Sequence, residues 1–268
     1  MNTGYLTFEK YIKLIKDLQN VKDKEKDTNT LSANDISFEN FNKNTMAIIH
    51  HIVNCIAKAE NDKSKIDNLT DEGKEILEYN GYTGTHTRHF YNNICNTSNV
   101  RYLEIGTWNG SSSISATYKN NIDALFIDNW SQFNGSSEIF EKAIKKYGKT
   151  SRCSLLESDC WTVDLSTIEN TFNVYLYDGA HAELDHFKAL EYYLPVLDNE
   201  FIFLVDDFTW ADVRDGTMRA IRELGLTIKF RHEIFMSPDD LKGMPNHKGK
   251  ETWWNGIAVF LLEKPKNV

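Results

Sequence analysis

The chain has 268 residues, of which 41% are hydrophobic and 12% aromatic, enough for one large α/β domain with or without a helical appendage. A formal net charge of −9 disfavours polyanionic partners, so no nucleic acid is expected to bind. No apolar run is long enough for a bilayer and no secretory signal opens the chain, so a cytoplasmic protein without membrane insertion is expected. The four cysteines form no C-x-x-C pair and are expected to be reduced thiols.

The first 80 residues differ in composition from the rest, with two glycines, no proline and many Lys, Asn, Asp and Glu residues. A polar stretch over 22–30 separates an amphipathic segment from apolar residues that recur at helical spacing between 38 and 56. This pattern predicts an N-terminal helical extension or cap over 1–80, attached to a larger domain over 81–268. The same helices could instead form the interface of a homo-oligomer, and the sequence does not separate these alternatives.

From residue 101 onward, short apolar runs alternate with amphipathic stretches. The runs predict strands over 101–106, 123–130, 152–159, 173–179 and 201–207, with helices over 111–120, 136–148, 182–197 and 213–225. Two further strands, over 227–235 and 253–264, have no helix between them. The order predicts a Rossmann-like, mostly parallel seven-stranded sheet with helices on both faces and an antiparallel terminal strand.

The end of the first predicted strand carries the pattern E-x-G-x-x-x-G, formed by Glu104, Gly106 and Gly110. Glycines at this place let the backbone approach a ligand and let a helix begin nearby. A dinucleotide fingerprint requires a second glycine where this chain has Trp108. The pattern therefore argues against a nicotinamide or flavin cofactor.

Four segments at strand ends carry a resemblance to a known family: EIGTWNGSS (104–112), FIDNWSQF (126–133), YDGAHAELDHFKAL (177–190) and FIFLVDDF (201–208). Together they make residues 81–263 resemble a class I S-adenosylmethionine-dependent methyltransferase. Within that class they are similar to the metal-dependent sugar O-methyltransferases, the macrocin O-methyltransferase-like branch. The resemblance implies S-adenosylmethionine as cofactor and a hydroxyl of a sugar, glycan or small polyol as methyl acceptor.

The resemblance implies a cofactor site at the ends of the first three strands. Asp128 would accept the ribose hydroxyls, and Asp159 would contact the adenine. Asp128 could instead be a turn or cap residue, and Trp130 could belong to the core. The expected cofactor-binding residues are Glu104, Gly106, Thr107, Trp108, Gly110, Ser112, Asp128, Trp130, Asp159 and Cys160.

A second acidic group follows the next two strands. Asp178 ends one, and Asp206 with Asp207 ends the other, so the three carboxylates converge if these strands are neighbours. Negative charges that close together repel each other, and a bound cation would neutralise them. Carboxylate oxygens are hard ligands that suit Mg²⁺ or another divalent ion, as the resemblance also implies. The alternative is that one acid is protonated or paired with an Arg or Lys, without an ion.

Catalysis of O-methylation needs a base near the acceptor hydroxyl. His181, three residues after Asp178, is one candidate because imidazole titrates near neutral pH, and Asp178 itself is the other. The sequence does not order them. Residues 81–90, which carry Tyr82, His86, Arg88 and His89, could fold over the cofactor as a lid, and a loop over 236–252 could frame the acceptor. Trp210, Trp253 and Trp254 could stack on a sugar ring or could belong to the core.

The amino-acid sequence leaves open two functions other than methyl transfer. One is a hydroxylase-associated protein of the same fold, in which the strand-end acids occur without methyl transfer. The other is a cofactor-binding module that assists a partner enzyme.

Overall fold

A computed structural model describes residues 6–13, 16, 43–235 and 252–266. Their strands are β1 (Leu6–Thr7), β2 (Arg101–Ile105), β3 (Asp123–Asp128), β4 (Arg152–Glu157), β5 (Phe172–Tyr177), β6 (Leu197–Asp206), β7 (Thr227–Ile234) and β8 (Ile257–Glu263). The helices are α1 (Lys43–Ala59), α2 (Asp71–Leu77), α3 (Thr85–Ile94), α4 (Ser111–Thr117), α5 (Ser137–Tyr147), α6 (Glu183–Tyr193) and α7 (Ala211–Glu223).

The strands form one mixed sheet in the order β1-β7-β8-β6-β5-β2-β3-β4. All pairings are parallel except those of β8, which runs antiparallel to both β6 and β7. The predicted α/β class and the antiparallel end of the sheet are confirmed. The predicted number of seven strands is exceeded by one, because β1 adds two residues to the β7 edge. So short a strand has no apolar run by which to recognise it.

The direction in which the chain adds successive strands to the sheet reverses between β2 and β5. From β2 the chain proceeds outward through β3 to β4, and β5 then pairs on the opposite side of β2. At such a point the connections leave in opposite directions and open a crevice at the carboxyl ends of the strands. The register aligns Ile105 with Tyr177, and Tyr177 with Val205. The residues after these three positions therefore share one edge of the sheet.

Both faces of the sheet are covered by helices. In β2, Tyr102 packs into a core cluster that includes α1 and α3 side chains, whereas Leu103 packs into a second cluster with α6 and α7. This alternation follows from the opposite directions of successive strand side chains. Because Ile52 of α1 is fully buried in the first cluster, α1 packs on the sheet. A role of the N-terminal helices in oligomerisation stays a prediction.

Local signals fix the helix ends near the site. Ser136 caps α5 by accepting a hydrogen bond from Ile139 N at 3.3 Å, and Gly148 follows the last residue of the helix. The polar stretch over 22–30 and nearly all of the predicted loop over 236–252 lie outside the described residues. Among the helices that are described, none combines the length and the apolar character that crossing a membrane requires.

Candidate functional site

A cavity of about 430 Å³ opens at the carboxyl edge of the sheet, beside the change of direction between β2 and β5. This volume suits a small-molecule ligand. Eleven of the predicted site residues line it: Gly106, Thr107, Trp108, Ser112, Asp128, Asp159, Cys160, Asp178, His181, Asp206 and Asp207. Glu104, Gly110 and Trp130 are not among the lining residues.

Gly106 sits where β2 and β5 come closest beyond their ends. Its φ of +88° is in the left-handed region, and a Cβ atom there would lie 1.9 Å from the carbonyl oxygen of Asp178. A side chain is therefore excluded on two grounds, conformation and space. Glycine at this position lets the turn after β2 and the acid after β5 border the same cavity.

The turn after Gly106 has a strained backbone. Trp108 has a φ of +42°, and Gly110, with a φ of +90°, immediately precedes α4. Left-handed conformations of bulky residues are rare and concentrate at functional sites. Asp128 holds this turn, since its Oδ2 accepts a hydrogen bond from Trp108 N at 2.8 Å. Its Oδ1 accepts another from Trp130 N at 2.7 Å.

Asp128 thus has the turn-stabilising role that was one of the two alternatives for it. Each of its carboxylate oxygens retains a lone pair, and the residue borders the cavity, so ribose binding stays a prediction. Trp130 packs against Phe140, and its Nε1 donates to Trp108 O at 2.8 Å. The indole supports the turn from behind and does not face the cavity.

Glu104 lies behind the cavity wall and is fully buried. Its carboxylate accepts hydrogen bonds from Ser112 Oγ at 2.5 Å, Ser113 Oγ at 2.8 Å and Tyr102 Oη at 2.9 Å. Burial raises the pKa of Glu104 to about 7, against the opposing effect of these three bonds. The carboxylate therefore anchors the start of α4, and any effect on a cofactor passes through residues such as Ser112.

Asp159 and Cys160 follow β4 and border the far end of the cavity. Asp159 Oδ1 accepts a hydrogen bond from Trp161 N at 2.9 Å, which fixes the carboxylate in a tight turn. The carbonyl oxygen of Cys160 accepts a bond from Tyr193 Oη at 2.6 Å. Burial raises the pKa of the Cys160 thiol to about 12, so the thiol stays protonated. All four cysteines are free.

The second acidic group converges as the sequence suggested, because β5 and β6 are parallel neighbours. Burial raises the pKa of Asp178 and of Asp206 well above the ordinary aspartate value, and the charges of the neighbouring acids raise both further. Asp206 Oδ1 is buried without a hydrogen-bond partner. Asp207 adopts a left-handed φ of +54°, which turns its side chain away from the strand direction of β6.

His181 lies beside Asp207, with Nε2 2.6 Å from Oδ2. The two atoms are close but not aligned for a hydrogen bond, and Nε2 has no other partner. One ligand atom each from Asp178, His181 and Asp207 lies within 4.8 Å of the others, the spacing of a metal-ligand group. His181 thus takes the place in this group that the sequence-based prediction gave to Asp206.

Asn255 is a site residue that sequence reasoning missed. It precedes β8, borders the cavity, and its Nδ2 donates a hydrogen bond to Asp207 Oδ1. The two residues are far apart in the chain; Asp207 directly follows β6 and Asn255 shortly precedes β8, and these strands are antiparallel neighbours in the sheet. No local pattern around a lone asparagine could have indicated this contact.

Aromatic side chains form a rim at the mouth of the cavity, defined here as Tyr82, Trp108, Phe133 and Trp254. Tyr82 stacks on Trp108 with centroids 4.8 Å apart and planes 6° apart, and it is 52% exposed. Phe133 meets both rings edge-on and is 60% exposed. Such exposed aromatic faces suit planar or sugar ligands.

The other predicted acceptor-side residues divide into two groups. Trp210 borders the cavity, 45% exposed and 4.8 Å from the His181 ring. Trp253 is buried against Phe90 and His86. The described lining residues include neither Trp253 nor His86, His89 or Arg88.

Arg88 instead fixes the segment that carries Tyr82. Its buried guanidinium donates to the carbonyl oxygens of Ile76 at 2.7 Å, Tyr79 at 2.8 Å and Thr83 at 3.0 Å. Burial lowers the pKa of Arg88 to about 10, so the group remains charged at neutral pH. These hydrogen bonds hold the segment beside the cavity, and its role as a lid stays a prediction.

The charge of the cavity is one-sided. Five aspartates border it (Asp128, Asp159, Asp178, Asp206 and Asp207), whereas His181 is the single basic side chain among its described lining residues. The alternative in which an Arg or Lys neutralises an acid finds no candidate in that lining. A lining that offers several acids and no described Lys or Arg favours cations over phosphates.

No family model matches the chain, and no curated protein sequence matches it. Solved structures similar to it include methyltransferases, O-methyltransferases among them. A candidate caffeoyl-CoA O-methyltransferase from Staphylococcus aureus is 14% identical, with 84% of this chain and 100% of that chain covered and a TM-score of 0.48. A candidate O-methyltransferase from Klebsiella pneumoniae is 13% identical, with 79% and 89% covered and a TM-score of 0.42.

A ribosomal protein L11 methylase from Lactobacillus delbrueckii subsp. bulgaricus is 13% identical, with 68% of this chain and 78% of that chain covered and a TM-score of 0.45. At identities this low the similarity concerns the fold. The function of the chain therefore has to be inferred from its own cavity.

Proposed function

We propose that the protein is an S-adenosylmethionine-dependent O-methyltransferase, assisted by a divalent cation, that acts on a hydroxyl of a sugar, glycan or small polyol. The observation that carries the proposal is the cavity at the change of strand direction, bordered by five aspartates and by no described Lys or Arg. S-adenosylmethionine bears a sulfonium and an ammonium group and no phosphate. It suits this charge, whereas the pyrophosphate of a dinucleotide would be repelled.

The cofactor would occupy the side of the cavity formed by the ends of β2, β3 and β4. Gly106 leaves room for a ligand against the backbone, and Asp128 offers carboxylate lone pairs where a ribose diol would lie. Asp159 and Cys160 border the same end and would contact the adenine. The methyl donor supplies the electrophilic carbon, and the chain supplies binding and orientation.

The cation would be held on the other side, by Asp178 and Asp207. The fit is supported by buried acids whose pKa values rise in each other's presence, and by unpartnered atoms on Asp206 and His181. A divalent ion bound there lowers the pKa of a nearby hydroxyl. Carboxylate oxygens suit Mg²⁺ or Mn²⁺, while an imidazole ligand would favour a softer ion.

We assign the role of base to His181 and keep Asp178 as the second candidate. His181 Nε2 makes no hydrogen bond, belongs to a residue that borders the cavity, and lies 2.6 Å from the Asp207 carboxylate. Asp178 is surrounded by three other acids, which favour its protonated form. Trp210, beside His181, gives an acceptor ring a surface on which to stack.

Calorimetric titration tests the cofactor first, with S-adenosylhomocysteine and NAD as competing ligands. We expect binding of S-adenosylhomocysteine and none of NAD; the reverse result would refute the proposal. A panel of sugars and polyols, incubated with S-adenosylmethionine with and without Mg²⁺, then tests transfer by product mass. Asp207→Ala should abolish the Mg²⁺-dependent turnover and leave S-adenosylhomocysteine affinity unchanged. Cofactor binding without methylation of any acceptor would instead favour a non-catalytic module.

A further inference from the structure

Asn255 combines two features that its packing alone does not explain. Its side chain is 7% exposed, and Nδ2 donates to Asp207 Oδ1. Its Oδ1 is buried and has no hydrogen-bond partner among the described residues. An unsatisfied buried carbonyl is unfavourable and uncommon in a native structure.

The orientation of the amide follows from its partner. Asn255 Nδ2 donates its hydrogen bond to Asp207 Oδ1, so the NH₂ group of the amide faces Asp207. The carbonyl oxygen is then the atom left without a partner, in a residue that borders the cavity. Reversing the amide would place two acceptors against each other and leave the donor unused.

The backbone holds Asn255 in place from both sides. The main-chain carbonyl oxygen of Asn255 accepts a hydrogen bond from Thr209 N at 3.0 Å, and the main-chain oxygen of Gly256 accepts one from Phe208 N at 3.2 Å. Gly256 has a φ of +83°, and a Cβ atom there would lie 2.4 Å from Ile234 O. The turn before β8 is thus tied to the turn after Asp207, and neither can shift alone.

Four buried polar atoms without partners belong to residues that border this cavity: Thr107 Oγ1, His181 Nε2, Asp206 Oδ1 and Asn255 Oδ1. We propose that Asn255 is a positioning residue of the cation site. Its amide N–H group fixes the Asp207 carboxylate, and its amide oxygen adds a further oxygen atom that suits a divalent cation. Residues that orient a metal ligand through a hydrogen bond commonly set its affinity for the ion. The proposal rests on the cation-assisted function above.

Titration with Mn²⁺, followed by the loss of its free electron paramagnetic resonance signal, tests the role directly. Asn255→Ala should weaken Mn²⁺ binding about tenfold or more, the usual effect of removing such a partner. Its affinity for S-adenosylhomocysteine should not change. Asn129→Ala is the matched control, because Asn129 borders the same cavity beside Asp128 and should leave Mn²⁺ affinity unchanged. Wild-type Mn²⁺ affinity in Asn255→Ala would overturn the proposal.

Asn255→Asp keeps the side-chain size and serves if the alanine variant does not fold. It places a second carboxylate against Asp207, so we expect a lower melting temperature without metal, restored by Mn²⁺, and tighter Mn²⁺ binding than in wild type. Unchanged melting and unchanged Mn²⁺ affinity would overturn the proposal. Wild-type protein that binds no S-adenosylhomocysteine refutes the methyltransferase function. Normal S-adenosylhomocysteine binding with Mn²⁺ affinity insensitive to Asn255 refutes this inference alone.

Discussion

Replacing Gly106 by alanine should separate the ends of β2 and β5 and damage the cavity. A left-handed backbone costs an L-residue about 1–2 kcal/mol, and Gly106 has a φ of +88°. The added Cβ would also lie 1.9 Å from Asp178 O and 2.5 Å from Asp178 C, atoms of a β-sheet end that cannot rotate away. Relieving such overpacking costs a further ~1–3 kcal/mol.

The expected loss in the free energy of unfolding is therefore about 2–5 kcal/mol, measured by urea denaturation. Gly225→Ala is the matched control, since Gly225 has a φ of +66° but no atom within 4 Å of the place that an added Cβ would take. It should lose only the conformational part, about 1–2 kcal/mol, and keep full affinity for S-adenosylhomocysteine. Gly106→Ala should bind that ligand more weakly. Equal stabilities and equal affinities of the two variants would refute the close approach of β2 and β5.

Three further substitutions test other parts of the site. Burial raises the pKa of Glu104 from 4.5 to about 7, so the folded state binds the proton more tightly than the unfolded state, and the free energy of unfolding should fall by roughly 3 kcal/mol as the pH rises from 4.5 to 7. In urea denaturation, the free energy of unfolding of Glu104→Gln should depend less on pH over that range. An equal pH dependence in the two proteins would contradict the raised pKa. Arg88→Lys leaves buried carbonyls without donors and should lower the free energy of unfolding by about 2 kcal/mol or more in the same assay. An unchanged urea midpoint would argue against a stabilising role of the three Arg88 hydrogen bonds. His181→Ala should lower kcat roughly 10²–10⁴-fold with Mn²⁺ affinity kept, and loss of that affinity instead would make His181 a ligand.

The sequence by itself determined the order of the elements and the acids at their ends. Apolar runs of β2, β3, β5 and β6 are buried on both faces, so their pattern is strong, and parallel strands bring their carboxyl ends to one edge. This is why Asp128, Asp178 and Asp207 could be assigned to one edge of the sheet, whereas the convergence of Asp178 with Asp207 depended on β5 and β6 being neighbours. The glycine at 106 was recognised for the same reason, since it directly follows a buried strand.

Only the tertiary structure decided which side chains face the cavity and which support it from behind. Glu104 has the right place in the motif, yet three hydroxyls from a strand and a helix occupy its carboxylate. Arg88 holds three carbonyls and not a ligand. Asn255 reaches Asp207 across antiparallel strands. Hydrogen-bond partners distant in the chain depend on sheet order and backbone direction, and a local pattern of residues carries neither.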